Sequence, residues 1–197
     1  MKKLLAAVAL GAAALGAVAI IATPAAFAAL QPGAAAPDFS AKGMEGGKEF
    51  TFKLSDALKK GPVVMYFFPA AFTPGCTAET KLFADAADQF KAAGATLVGV
   101  TAGAAMADGK MVNATDNLAR LAEFSKEHCR DKFAMVAIGA DVITSYNVSL
   151  PRKPEWTDRT SFVVAQDGKI ALAYTDPKAN DHVTKTLEAV NGLKHAH

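Results

Sequence analysis

Apolar and polar positions along this 197-residue chain fall into three kinds of pattern. The first is the continuous apolar run. Val63 to Phe68 is apolar throughout and bounded by turn residues, Gly61-Pro62 before it and Pro69 after it, which predicts a strand buried on both faces. Thr96 to Thr101 and Phe133 to Ile138 predict further strands, and Lys48 to Phe52 a shorter one followed by a helical turn over Leu54 to Lys60. The second pattern is helical. Between Cys76 and Ala93, apolar residues recur at Ala78, Leu82, Ala86 and Phe90, with Phe83 beside them and Gly94 as the stop; that is an amphipathic helix with a C-terminal glycine. Thr115 can cap a helix running to about Cys129, with Leu118, Leu121, Ala122, Phe124 and Ser125 on or beside its inner face. Asp141 to Tyr146 predicts a short helix, and Asp181 to Val190 a closing one with Val183, Leu187 and Val190 inward. The third pattern is the hairpin: Thr160 to Ala165 and Ile170 to Tyr174 are joined through Asp167-Gly168. Gly103 to Asn113 reads as a loop, and Trp156 with Pro151 to Pro154 as another.

Strands alternating with helices, closed by a late hairpin, predict an α/β domain with a mixed central sheet flanked by helices, thioredoxin-like in order. No repeat or mid-chain linker divides the chain, so residues 37–193 are expected to form one domain, with the Ala/Pro/Gly-rich segment 29–36 as a flexible arm. Met1-Lys2-Lys3, the apolar run from Leu4 to about Thr23, and Ala26-Phe27-Ala28 have the three parts of a secretory signal peptide. Cleavage is expected between Ala28 and Ala29, with export, most simply to a periplasm. The alternative is an uncleaved N-terminal anchor, since the apolar run approaches spanning length. Lys2 and Lys3 fall in this leader, so the 21 basic and 19 acidic residues leave the remainder formally neutral. No basic field argues for nucleic acid.

Candidate chemistry concentrates at Cys76. It follows the Val63–Phe68 run through Pro69-Ala70-Ala71-Phe72-Thr73-Pro74-Gly75, which places it in the first turn of a helix that opens at a strand end. Unpaired N–H groups and the positive end of the helix dipole favour an anion there, and the thiolate is the reactive form of cysteine. Thr73, three residues earlier, can bring its hydroxyl to the sulfur or to a bound oxygen. Pro69 and Pro74 fix the backbone on either side.

Pro69, Thr73 and Cys76 make the spacing Pro-x-x-x-Thr-x-x-Cys, and the whole string from Phe68 to Glu79 resembles the peroxiredoxins, the alkyl hydroperoxide reductase and thiol-specific antioxidant family, in its bacterioferritin-comigratory branch. Ala36-Pro37-Asp38-Phe39 is similar to the family's entry segment, and Arg159-Thr160-Ser161-Phe162-Val163-Val164 with Asp167-Gly168-Lys169-Ile170 resembles its late arginine and hairpin. The resemblance implies a thiol-dependent peroxidase acting on hydrogen peroxide and organic hydroperoxides, with no metal or organic cofactor. It implies that Cys76 is the peroxidatic thiolate, oxidised to a sulfenic acid. By the same resemblance Arg159 stabilises the thiolate and the leaving oxygen, Thr73 hydrogen-bonds sulfur and peroxide, and Pro69 shapes the pocket. Glu79 supports Arg159 or a loop, or is a solvated helix charge.

The branch's usual resolving cysteine, five residues after the peroxidatic one, is here Lys81. Cys129 is the only other cysteine, and three roles stay open for it: resolving Cys76 within the chain, a buried thiol with an external thiol resolving Cys76, or a partner across a dimer. The reductant would be a thioredoxin-like protein or a small thiol, and the expected state is a monomer or weak dimer. The competing reading is a thioredoxin-like binding or folding module stapled by a structural Cys76–Cys129 disulfide. A disulfide oxidoreductase is disfavoured because the chain contains no Cys-x-x-Cys. His128, His182, His195 and His197 show no metal-site spacing.

Overall fold

A computed structural model of the chain describes residues 29–194. The expected leader over residues 1–28, with its cleavage site, and His195 and His197 lie outside the described residues. The long apolar runs form the middle of the sheet. β3 (Val63–Ala71) pairs in parallel with β4 (Thr96–Ala105), which pairs in parallel with β6 (Ala134–Ala137). On one side β3 meets β9 (Thr160–Val164) antiparallel, and β9 meets β10 (Ile170–Thr175). On the other, β6 meets β1 (Ser40–Glu45), which pairs with β2 (Lys48–Lys53). The order β10-β9-β3-β4-β6-β1-β2 is the mixed sheet expected.

Alternation along β3 divides the core, because successive side chains in a strand point to opposite faces. Val64, Tyr66 and Phe68 pack with Phe83 and Phe90 of α2 (Pro74–Ala92), Phe124 of α3 (Leu118–Phe124) and Val190 of α5 (His182–Lys194). Val63, Met65 and Phe67 pack on the opposite face with Leu54 of α1 (Leu54–Leu58), Ile143 of α4 (Ala140–Ser145), Tyr146 and Phe162.

Several elements depart from the expectations, each for a physical reason. The buried face of α2 is the predicted one in part: Phe83, Ala86 and Phe90 are buried as expected, but so are Cys76, Glu79, Thr80, Ala84 and Ala87, while Ala78 is exposed and Leu82 is 39% exposed. The small alanines gave the pattern little to distinguish one face from the next. Thr115 does not cap α3; Asn117 does, its side-chain oxygen accepting from the Arg120 N–H at 3.0 Å. α3 ends at Phe124, and Ser125–Cys129 widens into a π-helical turn. The supposed loop after Thr101 continues β4 and returns as β5 (Met111–Asn113). Pro151 to Trp156 is likewise no plain loop, since β7 (Ser149–Leu150) and β8 (Lys153–Thr157) form a small hairpin. β1 had no clear apolar signature; it fits because Gly43 lacks a Cβ where the Met135 carbonyl approaches. Segment 29–36, expected as a flexible arm, is tied along the β9–β10 hairpin. The Gly33 N–H donates to Ile170 O at 2.8 Å, and the Ala36 N–H to Gly168 O at 2.9 Å.

Candidate active site

Sheet register sets the site. β9 pairs with β3 as far as Thr160 opposite Phe67, so Arg159 stands just beyond the last pair, beside the stretch where β3 turns into α2. Cys76 is the third residue of that helix, 1% exposed, after N-cap Thr73 and Pro74 at its first position. The turn contains Phe72 with φ +63°, a conformation costly for a large side chain and characteristic of functional turns. It is held by its surroundings: the Arg120 guanidinium lies 3.5 Å from the ring centroid, and the Phe124 and His128 rings stand edge-on at 5.1 and 5.5 Å.

Arg159 divides its guanidinium among three acceptors. Nη2 donates to Cys76 Sγ at 3.6 Å, Nη1 pairs with Glu79 Oε2, and Nε donates to the Pro177 carbonyl at 3.1 Å. The planar fork can serve all three at once, as a lysine cannot. Glu79 lies one turn after Cys76 on the same helix face and its side chain is fully buried, which excludes the solvated-charge reading. Burial pushes its carboxyl up to about 8, against the pull of Arg159 in the opposite direction. Desolvation outweighing attraction is what a buried ion pair commonly shows.

Of the other expected residues, Pro69 lies half-buried near the end of β3, its carbonyl accepting from Thr101 Oγ1 at 3.4 Å. Thr73 lies in the turn as expected, but its hydroxyl donates to the Ala70 carbonyl at 2.9 Å rather than to sulfur. An acceptor lone pair remains on that oxygen, since a hydroxyl both donates and accepts. Lys81 is exposed. Cys76 and Cys129 are both free, buried thiols. Cys129 closes the π turn, its Sγ 3.2 Å from Ser125 Oγ and donating to the Phe133 carbonyl at 3.6 Å; burial raises its thiol above the ordinary range. Arg130 and Asp131 follow it with φ +55° and +51°.

The sequence of the AhpC/TSA family matches residues 32–173. The chain belongs to that family: it is a peroxiredoxin. Its curated relatives include Peroxiredoxin Bcp of Bacillus subtilis, 29% identical over 83% of this chain and 97% of the relative, and Peroxiredoxin Q of Sedum lineare, 28% identical over 85% and 82%. Among solved structures, peroxidoxin BcpB of Mycobacterium tuberculosis superposes with a TM-score of 0.68 at 27% identity, covering 83% of this chain and 98% of that one. These likenesses put the peroxiredoxin in the bacterioferritin-comigratory branch, with a thioredoxin-like fold, and identify it as a thiol-dependent peroxidase.

Two residues of the site were not singled out by sequence reasoning, Ser161 and His182. His182 opens α5 fully buried; its Nδ1 lies 2.8 Å from Ser161 Oγ and 3.7 Å from Glu79 Oε1. A signal was available: Ser161 is a polar residue within a buried strand, and such groups have partners.

Proposed function

We propose that this peroxiredoxin is exported and reduces hydrogen peroxide and organic hydroperoxides through a sulfenic acid on Cys76, with Arg159, Thr73 and Pro69 shaping the reaction. The observation that carries this reading is the Arg159 Nη2–H facing Cys76 Sγ at 3.6 Å in the first turn of α2. Sulfur attacks one peroxide oxygen, the S–O bond forms as O–O breaks, and the departing oxygen takes the electron pair and then a proton. A guanidinium beside the sulfur stabilises charge before the step and on the leaving oxygen during it. Thr73 Oγ, released from Ala70, can donate to a bound peroxide, and Pro69 walls the pocket. Export rests on the Lys2-Lys3, apolar and Ala26-Phe27-Ala28 pattern of the leader, and N-terminal sequencing of the mature protein checks it: a chain beginning at Ala29 is expected.

An external thiol, from a thioredoxin-like protein or a small molecule, returns Cys76 to the reduced state. Cys129 is the internal candidate for an intermediate disulfide. It stands at the end of a π turn with two left-handed residues after it, and both features cluster at functional and switching segments. The test is to treat reduced protein with one equivalent of hydrogen peroxide. Wild type consumes it and Cys76→Ser does not; equal rates overturn the peroxidase assignment of Cys76. Product mapping decides the second step, where a Cys76–Cys129 disulfide supports the internal route and a persistent Cys76 sulfenic acid rejects it.

A further inference from the structure

Glu79 presents two carboxyl oxygens to a sealed pocket. Oε2 takes the Arg159 Nη1–H, while Oε1 is buried with no hydrogen-bond partner. The side chain of His182, also fully buried, lies beside it, with Nδ1 3.7 Å from Oε1. The tautomer of His182 follows from its other side. Nε2 lies 3.0 Å from the Asp176 carbonyl, which can only accept, so Nε2 carries a hydrogen. In the neutral ring Nδ1 is then an acceptor, and the Ser161 hydroxyl 2.8 Å away can fill it. One further proton can therefore sit on Glu79 Oε1, which has no hydrogen-bond partner, or on Nδ1, with the Ser161 hydroxyl turned to accept from it.

Charge counting shows why that proton matters. With Cys76 as thiolate, Glu79 ionised and His182 neutral, Arg159 faces two negative charges in a pocket whose four side chains are nearly or fully buried. One proton on the Glu79–His182 pair makes the group neutral and leaves Arg159 to the thiolate. We propose that Glu79 and His182 together hold one proton while Cys76 is a thiolate and give it up when peroxide consumes the thiolate charge, His182 acting as a positioning residue for that proton. The direction of Glu79's titration, pushed up to about 8 by burial, agrees with it, and burial lowers His182, so the shared proton rests chiefly on the carboxyl. The groups facing the pair are Arg159 before β9, Cys76 on α2, Tyr66 on β3, Tyr174 on β10, and Asp176 and Asp181 ahead of α5. Apart from the arginine and the thiolate they bring no charge that is buried with the pair.

The reaction balances on these terms. The thiolate and one hydrogen peroxide give sulfenic acid and water once one proton reaches the departing oxygen. Before the step the positive Arg159 faces a thiolate and a protonated pair. After it, Arg159 faces a neutral sulfenic acid and an ionised Glu79, so the pocket is neutral at both ends and the solvent supplies no net proton.

This inference rests on Cys76 being the peroxidatic residue, and the experiment separates the two. Reduced protein is mixed with one equivalent of hydrogen peroxide in weak buffer at about pH 9, above the Glu79 titration set by burial and Arg159, so that the pair keeps its proton only while the thiolate charge is present. Proton uptake is followed with an indicator dye and expressed per Cys76 sulfenic acid trapped, so inactive or unfolded protein does not count. Wild type is expected to take up close to none, and Glu79→Gln, which cannot store a proton, about one. His182→Gln keeps an amide N–H for the Asp176 carbonyl but removes Nδ1, and its uptake is expected to rise towards one. Uptake of about one proton by wild type overturns the proposal, and His182→Gln matching wild type removes His182 from it. If His182→Gln does not fold, the oxidised-minus-reduced infrared spectrum of wild type serves. It is expected to lose a protonated carboxyl or an imidazolium band that Glu79→Gln lacks, and loss of neither refutes the shared proton. No sulfenic acid at all refutes the assignment of Cys76 instead.

Discussion

Replacing Glu79 by glutamine keeps the shape of the side chain and removes its ionisation, so it isolates what burial of this carboxyl costs. In the folded protein the carboxyl is fully enclosed, pairs with Arg159 through one oxygen and leaves the other unpartnered; burial moves it from 4.5 to about 8. The sign follows from proton binding. Between those two values the native state holds a proton on Glu79 that the unfolded chain has released, so stability declines as pH rises, by about 1.4 kcal/mol per pH unit. The stability associated with Glu79 is thus complete below about pH 4.5 and lost as pH passes through about 8. Over the whole interval the loss is on the order of 3–5 kcal/mol, a large part of the stability of an ordinary domain. Urea unfolding of wild type and Glu79→Gln at several pH values from about 5 to about 9 measures it. Titrating groups away from Glu79, Asp158 among them, remain in both proteins and cancel in the difference. Glu79→Gln is expected to gain on wild type steadily as pH rises. Parallel curves, or a wild type that gains on the variant, would refute the reasoning that desolvation of Glu79 outweighs its attraction to Arg159.

Arg159→Lys keeps the positive charge but cannot serve Cys76, Glu79 and the Pro177 carbonyl together. Its kcat/KM for hydrogen peroxide is expected to fall on the order of a hundredfold, and a variant within threefold of wild type would remove the fork from the account. Gly75→Ala places a Cβ 3.2 Å from Arg159 Nη2 while improving helix propensity by roughly 0.5–1 kcal/mol. Peroxidase activity is expected to drop with the urea midpoint unchanged or raised, and unchanged activity would show that the guanidinium yields freely. Phe124→Ala empties a fully buried site between Phe68, Phe72 and His128. A loss of roughly 3–5 kcal/mol in urea unfolding is expected; a loss below about 1 kcal/mol would mean the Phe72 turn does not depend on this packing.

What the sequence determined by itself is local. The apolar run before Pro69, bounded by turn residues, predicted a buried strand, Asp167-Gly168 a hairpin turn, and Pro74 with Gly75 put Cys76 in the first turn of a helix. These are decided by neighbouring residues through backbone sterics and side-chain alternation, and the spacing of Pro69, Thr73 and Cys76 carried the family with them. Tertiary structure decided what depends on two distant segments meeting. The small residues of α2 left its inward face open until the sheet packed against it and buried Glu79 in place of Ala78. β1 became a strand only because β6 and β2 lie on either side of it. The β3–β9 register carried Arg159 to a sulfur 83 residues away, and the docking of α5 turned His182 from a scattered histidine into the neighbour of an unpartnered carboxyl oxygen. Burial is a property of the assembled fold, and burial is what sets the charge of Glu79. The reactive cysteine was therefore legible from the chain, while the charges that surround it were settled by packing.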